Sequence, residues 1–584
     1  MRSVEQITTR KLTEDNRTGL FVLSRSRKRL LVPVLMLFIY SVQCLWFVRT
    51  QSLTYDEPLH LRAGLEAWRY GRFEQVLDHP PLGHLLPTIF IAPGHWNITF
   101  DDSSGSLHVT SITPDPVELA NRTRPVNVVL GVLLGWMLWS TARKLFSTGA
   151  ANVAITLFAF SPSLIAHFSL VTTDGICTLM VFAAAAQVLR WRSHASLTQT
   201  LLSGVTLGLL LLSKLSTIPL FGLTLLLMLV LKPDHLEWTP RRWNFRAAIL
   251  AMCVSIFVVW AGYFFHVSRL RIGDGVVYLS SPNREPVIRH AVAARFKFMR
   301  GPLQRHFNLL IPAGEYLEGI AEIALHNQIG HSTFLNGHVS HSPSFKFHVV
   351  VAMLKWPPVV WLLFLCSIVS FLWRKVKPPP DFYVILLYPL LLLLVVMSAR
   401  ITMGERHFLP VYPFILLIAS ASWELVMSPI SSRIPSSLQR TGWATAIIVL
   451  LVLNAVDVLR YCPDYLSYTT IAIPNRASYH YLSDSNLDWG QGLLALRRYE
   501  AEHPNESIRL AYFGITDPKM YGIRAIPLAE NERVSGTVVV SETHMAGQYL
   551  KDPTGYQWLT KYPPKAILNH SLFVFGVPPE ASQP

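Results

Sequence analysis

The chain has 584 residues, 51% of them hydrophobic and only 15% charged, with a mean hydropathy of +0.34. A water-soluble protein carries roughly a quarter charged residues, so that class is excluded. The 51 Lys+Arg against 36 Asp+Glu give +15, but much of the excess lies in short loops between apolar runs, where membrane insertion puts it, and no nucleic-acid partner is expected.

Arg25, Arg27, Lys28 and Arg29 precede an apolar stretch from Leu30 to about Val48. The stretch is longer than a signal-peptide core and lacks an A-x-A site, so it reads as an uncleaved first span. Further runs near 126–146, 150–168, 170–189, 200–213, 216–232, 246–266, 348–372, 381–398, 408–426 and 442–460 predict about eleven transmembrane helices. With residues 1–29 as a cytoplasmic tail and sides alternating, the inner loops carry Arg143/Lys144, Arg190/Arg192, Lys232/Arg241/Arg242/Arg246, Arg374/Lys375/Lys377 and Arg433/Arg440. All are short and basic, as inner loops should be. The expected fold is therefore mainly α: a polytopic membrane helical bundle over 30–460, N-in and C-out, with large outer loops at 50–125 and 267–347. The tail, 461–584, combines β-type runs at 508–513, 536–541 and 571–576 with a helical pattern over 490–500, the pattern of a small extracytoplasmic α/β domain.

Five groups of polar residues stand at the outer ends of these spans, where ionisable side chains are costly unless paired or facing water. In Tyr55-Asp56-Glu57-Pro58-Leu59-His60 the acid is either the N-cap of an interfacial helix or a functional group, and Asp78-His79-Pro80-Pro81 breaks that helix. Arg122 and Arg124 stand before the second span, either snorkelling or binding an anion. Asp174, after Ser161-Pro162 and His167, has no cation beside it in sequence and requires a partner from elsewhere. Lys214 is a lone lysine in a turn, placed to snorkel or to pair with Asp56, Asp174 or a phosphate. Arg400, Glu405-Arg406-His407 and, from the eighth span, Lys355 would make a positive pocket suited to phosphate. The second outer loop also holds His326, His331, His338, His341 and His348, without an HExxH motif or a carboxylate framework. The five cysteines have no CxxC or zinc-type spacing, so neither a disulfide framework nor a cysteine metal site is indicated.

At these residues the chain resembles the GT-C membrane glycosyltransferases, specifically the bacterial relatives of dolichyl-phosphate-mannose protein mannosyltransferases and the lipid A aminoarabinose transferase. The motifs are Asp56-Glu57-Pro58 with His60, His79-Pro80-Pro81-Leu82, Ser161-Pro162 with His167 and Thr173-Asp174, and Leu212-Ser213-Lys214. They continue with Leu335-Asn336-Gly337-His338, Lys355-Trp356-Pro357, Gly404-Glu405-Arg406-His407 and Asp484-Ser485-Asn486-Leu487-Asp488-Trp489-Gly490-Gln491. The resemblance implies transfer of a sugar from a polyprenyl-phosphate-linked donor to a hydroxyl of a protein, lipid or glycan, at the outer face of the plasma (inner) membrane and without a cofactor or metal. It implies Asp56 as base, with Glu57 and Asp174 orienting it or the acceptor. Lys214, Arg406, His407, Arg122 and Lys355 would hold the donor phosphate, and His60, His79 and Tyr55 would position substrate. A phosphate leaves without protonation, so one base and several cations suffice. A transporter or flippase for a lipid-linked glycan is the rival reading; it would show paired repeats and midplane charges, and neither is visible here.

Overall fold

The computed structural model describes residues 30–101, 107–234, 241–273, 276–280, 307–340, 345–373, 377–427 and 437–579. The expected cytoplasmic tail 1–29 with its basic patch, and the expected Arg374, Lys375, Arg433 and His341, lie outside the described residues.

Every expected span coincides with helix, and local chemistry fixes several starts. Asp115 accepts the backbone N–H groups of Val117 and Glu118 to begin Pro116–Leu145, Ser147 caps Thr148–Ala159 and Ser196 caps Leu197–Ser213. Among the described residues, six helices are long and apolar enough to cross a membrane, or seven if one bent pair counts as a span. The segments expected near 150–168, 200–213, 216–232 and 408–426 contain shorter apolar helices of 10–17 residues. The segment near 348–372 is likewise two helices, Phe345–Lys355 and Pro358–Leu372, bent by 113°. Pro357 causes the break, since a residue before proline is kept out of the α region and the proline donates no hydrogen bond.

Thr173–Ser193 is the most enclosed of the six long helices, and its Ala183–186 run lets neighbours approach closely. It carries Asp174 in its first turn and Arg192 in its last, roughly 27 Å apart at 1.5 Å per residue. Around Arg192, three of the basic loops expected inside meet: Arg192 pairs with Asp381 at 2.6 Å and Asp234 at 3.2 Å, and Lys144 lies 4.0 Å from Asp381. Asp174, at the opposite end, pairs with Lys214 at 2.6 Å.

The first outer loop contains Glu57–Tyr70, Leu82–Thr88 and a hairpin of Asn97–Asp101 with His108–Thr113. In the second, Val267–Gly273 pairs antiparallel with Val276–Ser280 and Phe307–Pro312, ahead of helix Gly314–Ile329. The tail forms the expected α/β unit, a five-stranded mixed sheet with the order Pro564–Leu568, Leu572–Val577, Gly536–Ser541, Ile508–Ala511, Ile526–Pro527. Gly536–Ser541 runs parallel to Ile508–Ala511 and antiparallel to Leu572–Val577. Its alternating faces fill two apolar clusters, one holding Leu510, Val539 and Val574 and the other Ala511, Val538 and Phe573.

Candidate active site

Asp56 occupies the N-cap position of Glu57–Tyr70 but caps nothing. Its carboxylate Oδ2 accepts instead from Arg406 Nη1 at 2.6 Å, across 350 residues of sequence. Arg406 lies in a short 3-10 turn, Glu405–His407, between the ninth and tenth apolar segments. Gly404 makes that turn fit: its φ is +104°, and a Cβ there would stand 2.8 Å from Asn486 Oδ1. Arg406 also rests on the face of Trp489, its guanidinium carbon 4.4 Å from the ring centroid. A second pair stands alongside, with Lys214 Nζ donating to Asp174 Oδ1 at 2.6 Å. This meets the need of Asp174 for a distant partner, and Lys214 takes one of the partners open to it.

Asp56, Lys214 and Arg406 line one cavity of about 570 Å³ together with His60, His79 and His407. The cavity has two characters. One part is polar and includes Asp78, His326 and Asn327; the other is a wall of Leu215, Ile218, Ile320, Ile323, Val395 and Val396. Such a shape suits an amphiphile whose anionic head meets the cations while its chain lies on the wall.

His60 and His84 are neutral imidazoles. His84 Nε2 donates to the carbonyl of His79 at 3.2 Å, so its Nδ1 accepts from His60 Nδ1 at 3.1 Å and His60 Nε2 is left unprotonated. Burial, reinforced by His84 and His79, holds His60 well below the usual imidazole range, and burial brings His84 to about 4. His79 pairs with Asp78 at 3.0 Å. Burial pushes the Asp78 carboxyl up, but His79 outweighs it and holds the group near 2.

Several residues expected at the site are placed elsewhere or in other roles. Arg122 is exposed and paired with Glu118 at 2.7 Å. The helix begins at Pro116, ten residues before the expected span, so Arg122 and Arg124 sit about 200° apart on its surface and face opposite ways. Arg124 is the buried one: it binds Glu57 through Nε and Nη2 at 2.8 and 2.6 Å and the carbonyls of Gln51 and Ser52 at 2.7 Å each. Glu57 is wholly buried and also accepts from Thr54 N at 2.8 Å and Val171 N at 2.9 Å, so it braces the loop that carries Asp56 and does not reach the cavity. Lys355 is buried too, donating to the carbonyls of Leu466, Tyr468 and Asn486 at 2.7, 2.8 and 2.5 Å. It ties the bent helix pair to the tail and has no donor left for a phosphate. His407 lines the cavity, but its Nδ1 donates to the carbonyl of Ile401 at 3.2 Å. Burial and the neighbouring Lys214 and Arg406 keep the ring neutral, so it presents an acceptor and not a cation. Tyr55 stacks on Phe513 of the tail with centroids 5.6 Å apart. Of the outer-loop histidines, His326 lines the cavity and His331 bonds the Tyr549 hydroxyl at 3.0 Å. Among the described residues, no group of three or more His, Cys, Asp or Glu is arranged to hold a metal.

The tail adds residues to which the sequence assigned no role. Trp489 lies under Arg406, and Asp484, whose Oδ2 accepts from Tyr549 at 2.8 Å, lies within the electrostatic reach of Arg406. Their only sequence signal is the run Asp484–Gln491, and Tyr549 has none.

Residues 119–260, which include Asp174 and Lys214, match the profile of the family described as dolichyl-phosphate-mannose-protein mannosyltransferase. No curated protein matches the chain. Among solved structures it is similar to ArnT from Cupriavidus metallidurans bound to undecaprenyl phosphate, with 14% identity, a TM-score of 0.44 and coverage of 94% of this chain and 99% of that one. It is also similar to the archaeal oligosaccharyltransferase AglB from Archaeoglobus fulgidus in complex with an inhibitory peptide and a dolichol-phosphate, with 13% identity, a TM-score of 0.44 and coverage of 93% and 76%. A third is the arabinofuranosyltransferase AftD from Mycobacteria, with 14% identity, a TM-score of 0.40 and coverage of 88% and 36%.

Proposed function

We propose that the chain is a membrane glycosyltransferase of the GT-C kind, in keeping with the match of residues 119–260 to the dolichyl-phosphate-mannose-protein mannosyltransferase family, and that it transfers one sugar from a polyprenyl-phosphate-linked donor to a hydroxyl acceptor on the outer face of the membrane, with inversion and with Asp56 as base. The observation that carries this reading is the single cavity in which Asp56, Arg406 and Lys214 meet an apolar wall. Lys214 and Arg406 take the phosphate and the wall takes the prenyl chain. The acceptor oxygen attacks the anomeric carbon from the face opposite the phosphate, and its proton passes to Asp56. The bond from that carbon to the phosphate oxygen breaks, and the lipid phosphate leaves as an anion neutralised by the two cations. Inversion follows from the single displacement.

Asp56 Oδ2 is held by Arg406 at 2.6 Å, so the oxygen that would take the proton is already engaged. A donor phosphate competes for the same guanidinium and thereby releases Asp56. The base becomes active only once there is a donor to attack, which limits idle chemistry. In membranes carrying Asp56→Asn, transfer from the endogenous lipid-phosphate sugars is expected to be lost. Binding of undecaprenyl phosphate to the same variant is expected to be at least as tight as in the parent, because Arg406 no longer has a competing carboxylate. Undiminished transfer by Asp56→Asn rules out the assigned base, and weakened phosphate binding rules out the exchange.

A further inference from the structure

We infer that Trp489, from the C-terminal domain, is a positioning residue that holds both members of the Asp56–Arg406 pair, so that the catalytic centre of the membrane module is completed by the tail. The inference rests on the roles proposed above for Asp56 and Arg406. Trp489 is 2% exposed and touches each member differently. Its indole face carries the guanidinium of Arg406 at 4.4 Å. Its backbone carbonyl accepts from the N–H of Tyr55 at 2.9 Å, the residue before Asp56. Its own backbone N–H is fixed by Gln491 Oε1 at 2.7 Å, so the main chain that carries the indole is held.

The neighbours of Trp489 grip the same two strands of chain. Ser485 Oγ donates to the carbonyl of Met403 at 2.6 Å, and Asn486 Oδ1 accepts from the N–H of Glu405 at 3.0 Å, on either side of Gly404. The carbonyls of Gly490 and Gln491 accept from Ser52 Oγ and Ser52 N at 3.0 Å each. The first outer loop and the arginine turn are thus in register with each other through one segment of the tail.

The geometry bears on chemistry through the plane of the guanidinium. A ring face fixes that plane, and a desolvated cation–π contact is worth about tenfold or more in an equilibrium. Held flat, Arg406 presents Nη1 to Asp56 while Nε has no partner and Nη2 meets only the thioether of Met403 at 3.5 Å. Those are the donors left for a phosphate. Without the platform, the long side chain can pivot away from both its acid and its ligand.

Trp489→Phe and Trp489→Leu test this in the full-length protein in lipid nanodiscs, since both are smaller apolar side chains but only Phe keeps a ring face. The readouts are affinity for undecaprenyl phosphate and the rate of transfer from membrane-extracted lipid-phosphate sugars at saturating donor. The Leu variant is expected to bind undecaprenyl phosphate on the order of tenfold more weakly. Its rate of transfer at saturating donor is expected to fall as well, because the Asp56–Arg406 pair is no longer held in place. The Phe variant should stay near the parent in both. The other groups whose charge bears on Arg406 are Asp174 with Lys214, Asp484, and the imidazoles of His60, His167 and His407. All are unchanged in both variants, so a difference between Phe and Leu reports the Asp56–Arg406 pair. If Phe and Leu behave alike, whether both native or both impaired, Trp489 is a packing residue and the inference fails. Transfer by Asp56→Asn would instead overturn the roles on which it rests.

Discussion

Replacing Glu57 by Gln removes a negative charge and leaves the side-chain volume unchanged. The carboxylate it replaces has no exposed surface and accepts five hydrogen bonds, from Thr54 N and Oγ1, Val171 N, and Arg124 Nε and Nη2. Whichever way the amide is turned, its NH₂ faces donors: Val171 N and Arg124 Nε on one side, Thr54 and Arg124 Nη2 on the other. Arg124, also wholly buried, is left without a counter-charge. Removing one member of a buried pair costs about 3–5 kcal/mol, because the remaining charge has neither water nor partner. The expected result is a large drop in the thermal unfolding temperature of the detergent-purified protein, with residual transfer in proportion to the folded fraction. Asp56→Asn, one residue away, should melt close to the parent and transfer nothing. If Glu57→Gln melts like the parent and yet fails to transfer, Glu57 acts in the chemistry and its role as a brace is wrong.

Two further outcomes follow from local geometry. Gly404→Ala places a Cβ at a φ of +104° and 2.8 Å from Asn486 Oδ1, a backbone strain of roughly 1–3 kcal/mol; transfer should fall severalfold at unchanged membrane abundance, and full activity would contradict the close approach. Lowering the pH should destabilise the first outer loop through His84, which is buried and binds its proton only near pH 4. Between pH 6.5 and about 4 the unfolded chain takes up a proton that the folded one does not, so stability falls with pH by at most roughly 3 kcal/mol. Unfolding temperatures measured from pH 7 to 4 should fall for the parent and fall less for His84→Asn, and parallel curves would show that His84 contributes nothing.

The membrane helices and the α/β tail were legible in the sequence because apolar runs and alternating strands are local patterns. Helix Leu493–Glu502 and strands at 508, 536 and 572 appear close to where the patterns put them. What was not legible depended on tertiary partners. The bend at Trp356-Pro357 and the shortness of four segments depend on packing that hydropathy does not encode. Asp56 has every local mark of an N-cap, and only a residue 350 positions away takes its carboxylate. Arg122 and Arg124 are indistinguishable by composition; a helix start shifted to Pro116 decided which one went inside. Tyr549 and Trp489 reach the site through the fold of the tail, for which the sequence offered only a short run of matching residues.

Among the described residues, four buried or part-buried pairs of an acid with a lysine or arginine surround this end of the molecule, and the number of satisfied donors separates their roles. In Glu57–Arg124 the guanidinium also binds backbone carbonyls at Val48, Gln51 and Ser52. In Glu405–Lys355 the ammonium, 3.6 Å from its acid, spends three donors on carbonyls. Both cations are saturated, fully enclosed and bound to main chain, which is how a fold uses charge to fix loops. Arg406 and Lys214 differ. Among the described residues Lys214 bonds one partner, Asp174, and Arg406 keeps an unpartnered Nε in a buried position; both open on the cavity. A buried cation with spare donors is unfavourable in an empty protein and becomes favourable when an anion arrives. The two unsaturated pairs therefore store binding capacity for an anionic ligand, whereas the two saturated ones have none to offer. Sequence alone lists all four cations as equals; counting their donors in the structure leaves two.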